Sequence, residues 1–270
     1  MKYNFLIIWA VIFLIAAPVC QASENADQII EHFVFTSTDL EGSQGTWVIE
    51  GKTAFVNDKD IMITDVEARG RYPDQELTLI ARRGALQMPA ENVLLEKDIE
   101  IHSSRGMALS TDHLFWYAKE GVLSSDAYVR LKKGNVIAEA EGALAKKGFK
   151  EITLLERPHI QMVASSLTIV CAGPAHFNEG DNTATFNNDV ILVHGDKELS
   201  ASRMVAYLDE TGNDIAKFVA TGAVTIKQGK NKAYSERVDY FPRENKILIT
   251  EKPRLIISSM TQQTPKAEAQ

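Results

Sequence analysis

Cysteine is nearly missing from this sequence, with only Cys20 and Cys171 in 270 residues. A disulfide framework is therefore not what stabilises the fold, and if Cys20 leaves with a signal no intramolecular bridge can form. Cys171 then reads as a small buried hydrophobe. Basic charge is also in deficit: 29 Lys and Arg stand against 36 Asp and Glu, a net charge of −7. That balance argues against a nucleic-acid partner and gives no general attraction to an acidic lipid. Any lipid would be held mainly by its apolar part. Catalytic signatures are lacking as well. There is no G-x-S-x-G, no Walker A loop, no H-E-x-x-H and no GxGxxG leading into a helix. The histidines (His32, His102, His113, His159, His176, His194) have no metal-ligand spacing. No cofactor, no metal and no enzymatic activity are expected. "NEGDN" at Asn178 and "DETGND" at Asp209 have turn chemistry without EF-hand spacing.

Long apolar runs are limited to one, from Phe5 to Cys20, preceded by Lys2 and broken by Pro18. It is shorter than the span of about 20 residues that crosses a membrane comfortably. Residues 1–22 read as a cleaved signal peptide, with a retained single membrane anchor as the alternative. Ala-Pro-Val before Cys20 makes a poor lipobox. Each reading places the rest of the chain outside the cytoplasm. At 45 % hydrophobic and 24 % charged, that remainder can bury a sizeable core.

What the chain has in abundance is repetition. Segments of one kind begin at Thr46, Leu77, Met107, Val136, Leu167, Glu198 and Lys232, each about 30 residues after the last. Each carries a small or polar residue near its middle: Gly51, Ala81, Thr111, Ala140, Cys171, Ala201 and Ser235. A second segment answers each first one, as in "NVLLEKDIEIHSS" and "TATFNNDVILVHG". Most alternate apolar and polar residues, as a strand with one buried face requires. Most are also interrupted at the centre, at Asp65, Lys97-Asp98, Arg157-Pro158, Asn188-Asp189, Thr221-Gly222 and Lys252-Pro253. Such breaks predict bent or bulged strands at a sheet corner. The fold class is all-β, with about seven two-strand units and fourteen to sixteen strands in two facing antiparallel sheets. A parallel β-helix is disfavoured by the long units and the scarcity of internal Asn ladders. "ENADQIIEHF" (24–33) suits a short helix or a first strand, and 260–270 reads as a disordered tail.

The repeated "small-x-x-apolar-x-aromatic … V-x-I/L-x-x-G" pattern resembles the lipopolysaccharide-transport bridge proteins, the LptA, LptC and OstA group. Residues 30–163 look LptC-like, with one N-terminal hydrophobic segment and then Gly45, Trp47 and Ala54 in "GTWVIEGKTAFV". Residues 164–259 look LptA- or OstA-like, most clearly from Gly173 to Leu255. The resemblance implies an elongated open β-jellyroll in the periplasm that carries lipopolysaccharide from the inner to the outer membrane without catalysis. It also implies partners: lipopolysaccharide, other jellyroll proteins joined by edge-to-edge strand pairing, and an inner-membrane ABC transporter complex.

The inward positions of the alternating strands are the candidates for a groove around acyl chains. In the first half they are Trp47, Ile49, Ile61, Ile63, Leu77, Leu79, Leu95, Ile99, Ile101, Leu109, Val129, Leu131, Ile152 and Leu154. In the second half they are Ile160, Met162, Leu167, Ile169, Phe186, Val190, Leu192, Phe218, Val224 and Ile226. The same residues can equally form an ordinary close-packed core. Sheet edges are expected near 33–47 and 246–258. Basic clusters at Arg69 and Arg71, Arg82-Arg83, Arg130 with Lys132-Lys133, and Lys146-Lys147 with Lys150 read as a solvated rim or as contacts to lipid phosphates. A structural envelope protein without a lipid, and a secreted polysaccharide-processing β-helix enzyme, are the rival readings.

Overall fold

The computed structural model describes residues 28–38, 45–57, 60–88, 90–117, 119–209 and 214–257. The expectations for residues 1–22 and for the tail 260–270 lie outside these. Seventeen strands are present among the described residues. The first nine are β1 (Gln28–Thr38), β2 (Thr46–Val56), β3 (Asp60–Arg71), β4 (Glu76–Gln87), β5 (Asn92–Ser103), β6 (Met107–Tyr117), β7 (Val122–Lys133), β8 (Val136–Lys146) and β9 (Glu151–Met162). A 3-10 turn, Val163–Ser165, follows. Then come β10 (Leu167–Val170), β11 (Ala175–Asn178), β12 (Thr183–His194), β13 (Lys197–Leu208), β14 (Ile215–Gln228), β15 (Asn231–Phe241), β16 (Lys246–Glu251) and β17 (Arg254–Ile256). The segment 28–33, open between helix and strand from sequence, is strand. The count exceeds the expected sixteen because two long strands are each split into short ones.

Strands pair antiparallel with their neighbours in the chain except across the splits between β10 and β11 and between β16 and β17, giving one elongated meander of the jellyroll kind. Pairing continues across the middle of the chain. β9 pairs with β10 along one half and β11 along the other, and β12 repeats this on the far side. Backbone bonds from Ala172 N to Asn188 O (2.8 Å) and from Arg157 N to Ala172 O (3.2 Å) bridge the gap between β10 and β11. The Asn188 side-chain amide donates to Gly173 O at 2.6 Å and that of Asn187 to Pro174 O at 3.1 Å. Side chains here replace the ladder that the interrupted strand has lost.

Each long strand is creased at its centre. The sequence interruptions are where the backbone turns left-handed: φ is +50° at Asp65, +66° at Lys97, +50° at Arg157 and +63° at Asn188. Register shifts by one residue in the pairs that flank most of these points. The partner strand answers by slipping the phase of its buried face. β6 buries Met107, Leu109 and Thr111, then Leu114 and Trp116. The same three-residue step recurs from Gly51 to Ala54, Ala81 to Gly84, Ala140 to Ala143, Ala201 to Met204 and Ser235 to Val238. Side chains therefore point inward from both halves of every strand, and one core forms between two half-sheets.

The crease explains the small mid-strand residues. Across the ladder they oppose branched partners: Gly51 faces Val66, Ala81 faces Val66, Thr111 faces Ile99 and Val129, Ala201 faces Val190 and Ser235 faces Val224. The half-sheets are closest there, so large and small must alternate. Where the small residue is polar it serves the bulge. Thr111 Oγ1 donates to Tyr128 O at 2.9 Å, and Ser235 Oγ donates to Arg237 O at 2.9 Å. Cys171 takes this place in β10's unit, where burial pushes its thiol above 9.0.

Thr111→Val keeps the shape of the crease but deletes its hydroxyl bonds. The expected loss is about 1–3 kcal/mol, read as a lower denaturation midpoint. Ser110→Val, on the exposed face of the same strand, is expected to change the midpoint little.

Candidate functional site: a cavity between the two rims

Because the strands alternate in direction, their turns fall on two long rims. The crease folds these rims toward each other. Turns 72–75, 104–106 and 134–135 lie on one, and turns 147–150 and 179–182 on the other. Between them the core opens into a cavity of about 390 Å³. Its floor is apolar, built from β6 to β14 and the turn at Phe149: Met107, Leu131, Ala138, Phe149, Ile152, Ile160, Met162, Ile169, Phe177, Ala184, Phe186, Ala206 and Ile215. Aromatic packing flanks it. Trp47 lies 5.2 Å from Trp116 toward the N-terminal side and donates to the Tyr72 hydroxyl at 3.0 Å. Phe218 stacks on Tyr240 at 6.3 Å toward the C-terminal side.

The mouth is polar and is stapled from rim to rim. Lys150 Nζ reaches Asp74 Oδ2 at 2.9 Å. Glu179 is held by Lys133 Nζ and Arg105 Nη1, each at 3.1 Å, and Arg105 also lies 3.5 Å from Asp74. Buried Gln75 donates from its amide to Gly148 O and accepts from Ser103 Oγ at 2.7 Å. Gly148 has φ +63°, and a Cβ there would stand 3.1 Å from the Tyr72 ring, so the rims meet where only glycine fits well. The ion pairs are part-exposed, and such pairs contribute about 0–1 kcal/mol each. They align the rims more than they lock them.

Of the 24 positions proposed from sequence to form a groove, 23 are buried. Ile61, near the start of β3, is only half-buried and packs at the margin of the core. Six of the 24 line the cavity: Leu131, Ile152, Ile160, Met162, Ile169 and Phe186. The others pack elsewhere in the core. Lys133 and Lys150, picked out as basic clusters, stand at the mouth, whereas Arg69, Arg71, Arg82, Arg83 and Arg130 do not line it. Arg105, Asp74, Gln75 and Glu179 had no sequence signal as a group, since Glu179 lies 74 residues from Arg105. Among the described residues no cluster of three or more His, Cys, Asp or Glu could hold a metal, and no helix is long and apolar enough to cross a membrane.

A creased antiparallel meander with an apolar interior and a cavity between its rims defines the class as an elongated β-jellyroll. Family comparison makes this specific. Residues 4–162 match the model described as lipopolysaccharide-assembly, LptC-related, and residues 170–268 match that of the LptA/(LptD N-terminal domain) LPS transport protein. The first match covers more than half the chain, so this chain belongs to the LptC-related lipopolysaccharide-assembly family. That membership assigns it to the lipopolysaccharide-transport bridge. No curated protein matches the chain by sequence. The two matches abut at the 3-10 turn Val163–Ser165 and β10, and the cavity is lined from both sides of that junction.

Hydrogen bonding from Lys150 holds the Asp74 carboxyl below its ordinary 3.8, with desolvation opposing. A depressed carboxyl stabilises the fold above its unfolded value, and the contribution is lost as pH falls through the folded value. The pairing of the rims through Asp74 is thus expected to persist from neutral pH down to below 3.8. A carboxyl-carbon NMR titration checks this: the Asp74 midpoint lies below 3.8 in the native chain and moves back toward it in Lys150→Gln.

Proposed function

We propose that this chain is a non-enzymatic, periplasmic carrier that holds acyl chains of lipopolysaccharide in the cavity between its two half-sheets and passes them outward. The observation that carries this reading is an apolar-floored cavity of about 390 Å³ inside the core. Interiors normally pack without such space, and this volume falls among those of small-molecule sites. Each methylene moved from water to the floor gains about 0.8 kcal/mol. About ten would gain roughly 8 kcal/mol before the cost of ordering the lipid. The sugar headgroup stays at the polar mouth. In this reading the N-terminal apolar run exports the chain, as a cleaved signal or as a retained anchor.

The partners follow from the ends of the meander. β1 pairs only with β2 and leaves Ile29 (65 %) and Val34 (62 %) exposed. At the other end, short β16 and β17 pair only with β15, and Leu255 and Ile257 are exposed. Such edges accept a further strand. The N-terminal edge would receive the jellyroll of an inner-membrane ABC transporter complex, and the C-terminal edge the next protein of the bridge.

A photo-crosslinking scan with lipopolysaccharide tests the carrier reading. A photoreactive residue at Leu131, Met162 or Phe186 is expected to give lipid adducts, and one at exposed Glu100 none. Ala206→Phe, which projects a ring into the cavity, is expected to abolish the adducts while costing less than the usual overpacking loss of about 1–3 kcal/mol. A folded chain with no adducts at any position would return the molecule to a purely structural role in the envelope.

A further inference from the structure

The mouth of the cavity departs from the charge pattern of the molecule. The chain as a whole carries −7, yet three cations (Arg105, Lys133 and Lys150) share two carboxylates (Asp74 and Glu179) at this point. Asp214, further along the lining, is occupied by Arg243 at 2.9 Å and does not offset the excess. The cations come from three separate turns or strand ends and from both rims. They stand directly over the apolar floor, where a headgroup would sit if acyl chains lay beneath.

We propose that Arg105, Lys133 and Lys150 form a phosphate subsite at the cavity mouth, taken by the anionic headgroup of a lipid whose acyl chains fill the space below, with Asp74 and Glu179 as displaceable placeholders. The assignment rests on the carrier reading of the cavity. A phosphate brings up to two negative charges and three accepting oxygens, which is the complement these donors lack. The guanidinium of Arg105 can take two phosphate oxygens side by side, and the two ammonium groups act as point charges beside it. Exchange of carboxylate for phosphate keeps every cation paired. It also releases Asp74 from Lys150 and Glu179 from Lys133 and Arg105, which are the links between the rims. Phosphate capture and lateral opening are therefore one event. In an empty mouth the carboxylates hold the rims in line, and a phosphorylated lipid releases them.

The test measures binding to the full chain of an acylated glucosamine disaccharide carrying two phosphates, of its dephosphorylated counterpart, and of inorganic phosphate. The native chain is expected to hold the phosphorylated lipid on the order of tenfold tighter than the dephosphorylated one. The triple variant Arg105→Gln, Lys133→Gln, Lys150→Gln is expected to erase that difference, and a native-like far-UV circular dichroism spectrum shows that it folds. Glu179→Gln, which frees two cations, is expected to tighten the phosphorylated lipid alone. Equal affinities for the two lipids in the native chain would overturn the phosphate subsite while leaving the carrier reading standing. Binding of neither lipid would remove the carrier reading and this one with it. Inorganic phosphate that binds as tightly as the phosphorylated lipid would make free phosphate the ligand and overturn the headgroup assignment.

Discussion

At the centre of β3, β5, β9, β12 and β14 the backbone passes through a left-handed residue, and the neighbouring strand slips its buried face by one position to follow. This crease, lined by small residues set against Val66, Ile99, Val129, Val190 and Val224, is the constraint on which the rest of the molecule depends. Without the slip, the second half of every strand would turn its apolar side to water. With it, a single long sheet becomes two facing half-sheets that share one core. The same geometry brings the hairpin turns, which a flat meander would keep far apart, into two opposed rims. Cavity, mouth and cross-rim ion pairs all follow from that one bend.

The energies along the fold are unequal in a way that suits a carrier. At the crease, fully buried branched side chains such as Ile99 and Val129 are each worth about 1.5–3 kcal/mol relative to exposure. At the mouth, the part-exposed pairs of Asp74 and Glu179 are worth about 0–1 kcal/mol each. The strong interactions thus lie at the hinge line and the weak ones at the opening. A strained or loaded molecule parts at its rims long before it loses its spine.

Much of this was legible in the sequence because period and punctuation are local. Alternation in "NVLLEKDIEI" fixes which side chains of β5 are inward, and Lys97-Asp98 marks its bulge, since only a break in alternation leaves two exposed residues together. The small mid-strand residues were visible as a column, although the phase slip that makes them necessary became clear only with the paired register. Ile61 is only half-buried for a local reason: it sits at the start of β3 beside a rim, where a strand's inward face runs out of core to cover it. The mouth was not legible. Its members come from five separate segments, and nothing in a one-dimensional pattern states that a turn at 104–106 meets one at 179–182. That fact depends on how far the half-sheets coil past one another. Lys133 and Lys150 looked like any solvated basic cluster until their carboxylate partners were placed.

The cavity lies where the repeat is least regular. One strand position in the series is divided into β10 and β11, its ladder patched by Asn187 and Asn188, and the preceding hairpin is replaced by a 3-10 turn. An uninterrupted strand would carry inward side chains up to the crease and on from it, as β6 and β13 do. The interruption substitutes Ala172, Gly173 and Pro174, which bring little volume. The two family matches meet here as well, yet strand pairing crosses the junction on both sides. A seam between two separate rolls would present an edge to solvent. This one is hydrogen-bonded throughout, so the join between the LptC-related part and the LptA-like part is a continuous wall with its open space on the inside. In the proposed carrier reading, a lipid held there would touch both parts at once.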